Sequence, residues 1–206
     1  MPQPQALPQL LIATTNAGKV AEIRACLTGL PYEVIGLADL TVVPPPVEET
    51  GNTFAANAML KANYYFEQTG LLTLSDDSGL IVDALGGRPG VYSARYACEG
   101  ATSEQLVAKL LEEMKGVGEA QRQAQFECVM ALRSSSIKEV FAGKCDGRIA
   151  REARGQQGFG FDPVFIDPAT GRAFAEMSRT EKNALSHRGK ALAQVRLYFD
   201  LADSGG

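Results

Sequence analysis

Asp76 and Asp77 stand side by side in Leu71-Leu72-Thr73-Leu74-Ser75-Asp76-Asp77-Ser78-Gly79-Leu80, where an apolar run reads as a strand that ends in two carboxylates. Unpaired buried charge is costly, so such a pair calls for a metal ion, a basic partner or water. Strand side chains alternate between faces, so the two residues need not share one role. One could bind Mg²⁺ while the other orders the loop. The same four residues also suit a solvated Asp-Asp-Ser-Gly turn. On this segment alone the two readings stand level.

Other segments carry chemistry of their own. Thr14-Thr15-Asn16-Ala17-Gly18-Lys19 falls where a strand feeds a helix. A helix N-terminus presents free N–H groups and partial positive charge, which suits phosphate, and Lys19 adds a full charge. The GxxxxGK[ST] spacing is absent, so this is not a P-loop. The alternative is a plain strand–helix turn with a surface lysine. Glu48 and Glu49, with Asp76, Asp77 and Lys61, could form an acidic metal site with a basic partner, since hard carboxylate oxygens suit Mg²⁺, although an acidic loop after prolines alone reads more simply as solvated. Gly158-Phe159-Gly160-Phe161-Asp162-Pro163 offers aromatic faces that can stack on a base, although the segment alone reads more simply as a core turn. Lys182, His187 and Arg188 gather donors near the last helix, and such a cluster can read carbonyl oxygens. No Ser/His/Asp triad is suggested, because Ser78 and Ser93 lack a nucleophile elbow.

Elements that would position these residues follow from the pattern of apolar positions. Leu10–Thr14 reads as a buried strand, followed by a helix with Val20, Ile23, Leu27 and Leu30 on one face, then a strand at Tyr32–Leu37. Pro44-Pro45-Pro46 marks an exposed loop. A helix is expected over Thr53–Gln68, capped by Asn52 or Thr53. The strand to Asp76 follows, with a separate apolar stretch at Leu80–Leu85. Thr102 or Ser103 opens a helix through Met114. Gln125–Leu132 and Ile137–Cys145 read as strands joined by the Ser134-Ser135-Ser136 turn, with more sheet near Gly147–Ile149 and a short strand at Val164–Ile166. The last helix is expected over Lys182–Leu201. Interleaved helices and strands, with hairpin-like strands in the second half, predict an α/β fold on a mixed sheet.

A chain of 206 residues suits one domain or two lobes sharing a sheet. Residues 1–9 read as a disordered extension and 10–203 as the domain, with Ser204-Gly205-Gly206 as a fray. A net charge of −4 argues against a nucleic-acid coat but not against a phosphorylated ligand in a local basic pocket. Cys26, Cys98, Cys128 and Cys145 show neither zinc nor disulfide spacing, so a reducing cytoplasm is expected. No apolar run approaches a membrane span, and residues 1–5 lack signal-peptide character.

Taken in order, Thr14-x-Asn16-x-x-Lys19, Glu48-Glu49-Thr50-Gly51-x-Thr53-Phe54, Asn57-Ala58 with Lys61-Ala62, Asp76-Asp77-Ser78-Gly79-Leu80, Gly86-Gly87-x-Pro89-Gly90-Val91-Tyr92-Ser93-Ala94-Arg95, Phe159-Gly160-Phe161-Asp162-Pro163 and Ser186-His187-Arg188-Gly189 resemble the motifs of the noncanonical purine nucleoside triphosphate pyrophosphatases, also called inosine/xanthosine triphosphatases. The likeness runs from Leu10 to Phe199. It implies a long curved mixed β-sheet with flanking helices, two lobes around a central cleft, a homodimer and dependence on Mg²⁺. The implied reaction takes ITP, dITP or XTP to the monophosphate and pyrophosphate, cleansing the nucleotide pool. Carried over residue by residue, Thr14, Thr15, Asn16, Ala17, Gly18 and Lys19 hold the triphosphate, with Lys19 also stabilising the leaving group. Asp77 is the general base and a metal ligand, and Glu48 or Glu49 completes the metal site. Ser78 contacts substrate. Phe159, Gly160, Phe161, Asp162, Lys182, His187 and Arg188 form the base pocket. Thr15 stands where a smaller residue is frequent in the family, and Phe161 where tyrosine is common, which excludes a hydroxyl contact there. Two rival readings are a related nucleotide pyrophosphatase acting on other modified nucleotides, and a non-catalytic nucleotide-binding module.

Overall fold

The computed structural model describes residues 6–204. Residues 1–5 of the expected extension and 205–206 of the expected fray lie outside the described residues. Residues 6–8 carry no regular structure, and the first strand opens at Gln9. The fold is α/β, with six strands in the order β2-β1-β3-β4-β5-β6. The strands are β1 (Gln9–Ile12), β2 (Glu33–Gly36), β3 (Leu72–Val82), β4 (Gln123–Arg133), β5 (Lys138–Ile149) and β6 (Phe165–Ile166). β1 pairs in parallel with β2 and with β3, whereas β6 pairs antiparallel with β5, so the sheet is mixed.

The helices follow local signals. α1 (Ala17–Leu27) starts at Asn16, whose side chain accepts from the Lys19 backbone N–H. α2 (Phe54–Thr69) starts at Thr53, whose hydroxyl accepts from Ala56 N–H. It buries Phe54, Ala58, Ala62 and Tyr65, a spacing that keeps them on one face. It stops at Gly70, which takes a left-handed φ of 69° that side-chain-bearing residues avoid. α3 (Ser103–Glu113) opens with a reciprocal cap between Thr102 and Gln105 and buries Leu106, Val107 and Leu110.

Two expectations are corrected. Asp76 and Asp77 do not end a strand or form a solvated turn. β3 runs through both as far as Val82, and only Asp83–Leu85 leave it as a 3-10 turn. The run of Ser, Asp and Gly from Ser75 to Gly79 looks like a turn signal, but β3 is buried along nearly its whole length. The last helix is also two: α4 (Arg179–Leu185) and α5 (His187–Ser204). Ser186, in extended conformation, breaks them, and its hydroxyl accepts from Gly189 N–H at 3.1 Å to cap the second.

The described residues divide into two compact units, residues 6–76, 129–141 and 192–204 in one and 77–128 and 142–191 in the other. β3, β4 and β5 each pass from one unit into the other, and β3 does so at the Asp76–Asp77 bond. The first unit has an apolar cluster of Leu11, Ala13, Ile35, Leu37 and Tyr65. The second has a larger one that includes Leu80, Val82, Leu106, Leu110, Phe126, Phe161, Phe165 and Phe174. Burying each such aromatic or aliphatic side chain contributes about 1.5–3 kcal/mol, which makes this cluster a stiff base for the polar groups at its edge.

Candidate functional site

In the first unit the α1 N-terminus follows directly from β1. Asn16 N–H donates to the Thr14 hydroxyl at 3.2 Å, and the Asn16 side chain accepts from Lys19 N–H at 3.1 Å. Thr15, Asn16 and Ala17 are exposed, and Gly18 and Lys19 half-buried. The Lys19 ammonium lies 3.0 Å from Asp76 Oδ2, whose side chain is fully buried. Asp76 is therefore a counter-charge for Lys19, which explains how a central strand tolerates that carboxylate.

A second ion pair sits at the α2 side of this unit. Lys61 Nζ lies 2.5 Å from Glu49 Oε1, while Glu48 is exposed. The loop leading to α2 is held by Asn57, fully buried, whose Oδ1 accepts from Gly51 N–H at 2.7 Å. A Cβ on Gly51 would come within 2.5 Å of that oxygen, so glycine is needed for the contact.

In the second unit, Asp77 is 5% exposed and its Oδ1 accepts from Ser78 N–H at 3.0 Å. The Ser78 hydroxyl accepts from Arg188 Nη2 at 2.8 Å. Lys182 Nζ donates to Asp162 Oδ2 at 2.6 Å, and both side chains are at most 5% exposed. Asp162 Oδ2 also accepts from Phe159 N–H at 2.9 Å, which fixes the glycine-rich loop. Gly158 permits this: at φ 77°, its Cβ would lie 2.0 Å from that oxygen. The Phe159 ring faces two cations, Lys182 Nζ at 4.8 Å and Arg188 Cζ at 5.6 Å. His187 stacks on Phe126 at 4.6 Å. Gly160 N–H donates to Ser103 Oγ at 2.7 Å. Phe161 packs into the apolar core and edges against Tyr96, so its ring supports the loop from beneath.

Lys182 is presented by α4, whose cap is strong. Ser178 and Glu181 exchange hydrogen bonds across the first turn. Those bonds, with help from Arg172, hold the Glu181 carboxyl down at about 2. Burial, reinforced by a hydrogen bond to Glu113, pushes the Tyr96 hydroxyl up to about 12, so it stays a neutral donor.

The acidic residues offer oxygen donors, and residues 48–78 contain no Cys or His. That donor chemistry fits Mg²⁺ rather than a softer metal. Among the described residues, no three His, Cys, Asp or Glu side chains assemble as a ready metal cage. Mg²⁺ commonly uses one or two carboxylates and fills its shell with water and substrate phosphate, so it does not need such a cage.

Three buried residues have structural roles not assigned from the sequence. Ser93 Oγ accepts from Leu80 N–H at 2.8 Å and braces β3 just beyond Ser78. Asn57 orders the Gly51 loop. Arg122, 2% exposed, donates to the carbonyls of Met114, Val117, Ile149 and Ala150. The Gly51…Asn57 spacing across the Thr53 cap is a usable signal for Asn57; two of the Arg122 partners, Ile149 and Ala150, are too far along the chain to be read.

A family model described as the Ham1 family matches residues 10–198. The chain is 47% identical over 200 residues to the dITP/XTP pyrophosphatase of Shigella flexneri, covering 96% of this chain and 99% of that protein. It is 48% identical over 189 residues to the protein of the same name from Geobacter sulfurreducens, covering 91% and 94%. Among solved structures, a HAM1 protein from Coxiella burnetii superposes with a TM-score of 0.85 at 41% identity, over 94% of this chain and 99% of that one. The Ham1 protein of Staphylococcus aureus gives a TM-score of 0.82 at 36% identity, over 96% and 100%.

Proposed function

The chain belongs to the Ham1 family, and we propose that it hydrolyses noncanonical purine nucleoside triphosphates (ITP, dITP and XTP) to the monophosphate and pyrophosphate, removing deaminated purines from the nucleotide pool. The observation that carries this reading is the nearly full-length likeness to proteins named dITP/XTP pyrophosphatase, with every polar cluster described above inside the matched stretch.

In this reading the α1 N-terminus and Lys19 receive the phosphates, through the N–H groups and charge of a helix start. Water attacks the α-phosphorus, the bond from that phosphorus to the bridging oxygen breaks, and pyrophosphate leaves. Asp77 takes the proton of the attacking water. Lys19, held by Asp76 before substrate arrives, offsets negative charge growing on pyrophosphate. Asp77 would hold Mg²⁺, aided by a glutamate of the 48–49 pair. Bound there, the ion supplies charge neutralisation on the phosphates. Glu49 is tied to Lys61 while Glu48 is exposed, so Glu48 is the one with freedom to turn toward a ligand.

The purine is read by Lys182, His187 and Arg188, with Phe159 as the stacking face. Inosine and xanthosine carry a 6-oxo acceptor for these donors. Adenine carries an amino group there and would leave buried donors unmatched, a penalty that supports strong rejection. We also propose that the enzyme is a cytoplasmic homodimer. No helix among the described residues is long and apolar enough to cross a membrane.

A substrate panel tests the reading. ITP, dITP and XTP are expected to turn over at least about a hundredfold faster than ATP at equal concentration, and EDTA to stop turnover. Comparable rates with ATP would overturn it.

A further inference from the structure

Ser78 touches two parts of the second-unit cluster at once. Its backbone N–H donates to Asp77 Oδ1 at 3.0 Å, and its hydroxyl accepts from Arg188 Nη2 at 2.8 Å. Arg188 is 2% exposed and its guanidinium lies over the Phe159 ring, 5.6 Å from the centroid. A guanidinium is a flat fork of donors, so what it reads depends on which way its plane is turned. The Phe159 ring lies beside the group, and the Ser78 hydroxyl supplies one hydrogen bond at its end that constrains its rotation. Ser93, bonded to the Leu80 N–H two residues along β3, keeps this part of the strand in place.

We infer that Ser78 is a positioning residue: its hydroxyl aims Arg188 at the 6-position of the purine and so sets the discrimination between 6-oxo and 6-amino bases. This rests on the activity proposed above and extends it, because it assigns selectivity to a β3 side chain next to the catalytic carboxylate rather than to the base cluster alone. Direct contact between Ser78 and a phosphate would behave differently, since every triphosphate shares that group and all substrates would suffer alike.

The test is kcat/KM for ITP and for ATP in the full-length enzyme with Mg²⁺. Ser78→Ala is expected to cut the ITP:ATP ratio by about tenfold or more, the scale of a lost hydrogen bond to a charged group. Ser78→Thr, which keeps the hydroxyl, is expected to recover most of the ratio. In an Arg188→Ala background, Ser78→Ala is expected to leave the ratio unchanged, because its route is already gone. If Ser78→Ala fails to fold by circular dichroism, Ser78→Cys carries the same expectation, being nearly isosteric but a weak acceptor. A folded variant in which ITP and ATP rates fall in parallel overturns the role of Ser78 while sparing the proposed activity. Failure of the wild-type enzyme to cleave ITP overturns both.

Discussion

Replacing Asp162 with Asn strips the partner from a deeply buried ion pair. Lys182 Nζ and Asp162 Oδ2 are 2.6 Å apart with side chains 5% and 4% exposed. Asn preserves size and can still accept from Phe159 N–H, so the change removes one negative charge and little else. It leaves an ammonium in a site nearly closed to water. Removing one partner of a buried pair costs about 3–5 kcal/mol, because the survivor keeps its desolvation penalty. For a chain of this size each kcal/mol moves the melting midpoint by about 2–4 °C, so the expected drop is about 6–20 °C. The assay is thermal and urea denaturation of both proteins, followed by circular dichroism. The double variant Asp162→Leu/Lys182→Met is the control. With both charges gone it is expected to be more stable than Asp162→Asn. A loss below about 1 kcal/mol for Asp162→Asn, the scale of an exposed pair, would refute the reasoning.

Three further outcomes are expected. Asp77→Asn should lower kcat by about 10²–10⁴-fold while the melting curve is retained; near-wild-type turnover in a folded variant would remove Asp77 from the mechanism. Asp76→Asn should raise KM for ITP more than it lowers kcat, because Lys19 loses the anchor at 3.0 Å that presents it to phosphate; an unchanged KM would speak against that anchor. Glu181, held at about 2 against an ordinary 4.5, contributes stability that is fully present above pH 4.5 and lost as pH falls through about 2. Thermal melts of wild type and Glu181→Gln should therefore differ near neutrality and converge below about pH 2.

Local signals in the chain are strong enough to reveal α1, α2 and α3. Each has a polar cap residue before an apolar stripe, and Asn16, Thr53 and Thr102 act as those caps. The β4–β5 pair is legible from two apolar runs around a serine turn. β3 is legible only as far as Asp76, because the aspartates, serine and glycine at that point look like a turn until their partners are known. Lys19, far upstream, neutralises Asp76, and no local pattern encodes that contact. The break at Ser186 is hidden for a related reason. Apolar positions continue on both sides of it, and Gly189 reads as an ordinary interior glycine. In the structure its missing Cβ lets the Asn183 carbonyl approach, where an added carbon would sit 1.7 Å away. Phe161 is legible both as part of a motif and as a core turn, and its packing against Tyr96 and its neighbours makes it a ring that supports the loop.

The most direct test of the central claim is hydrolysis of ITP in water labelled with heavy oxygen, with the products separated and weighed by mass spectrometry. Attack at the α-phosphorus predicts that pyrophosphate is the first phosphorus product and that the label resides in inosine monophosphate. Orthophosphate as the first product, or label in pyrophosphate, would contradict it.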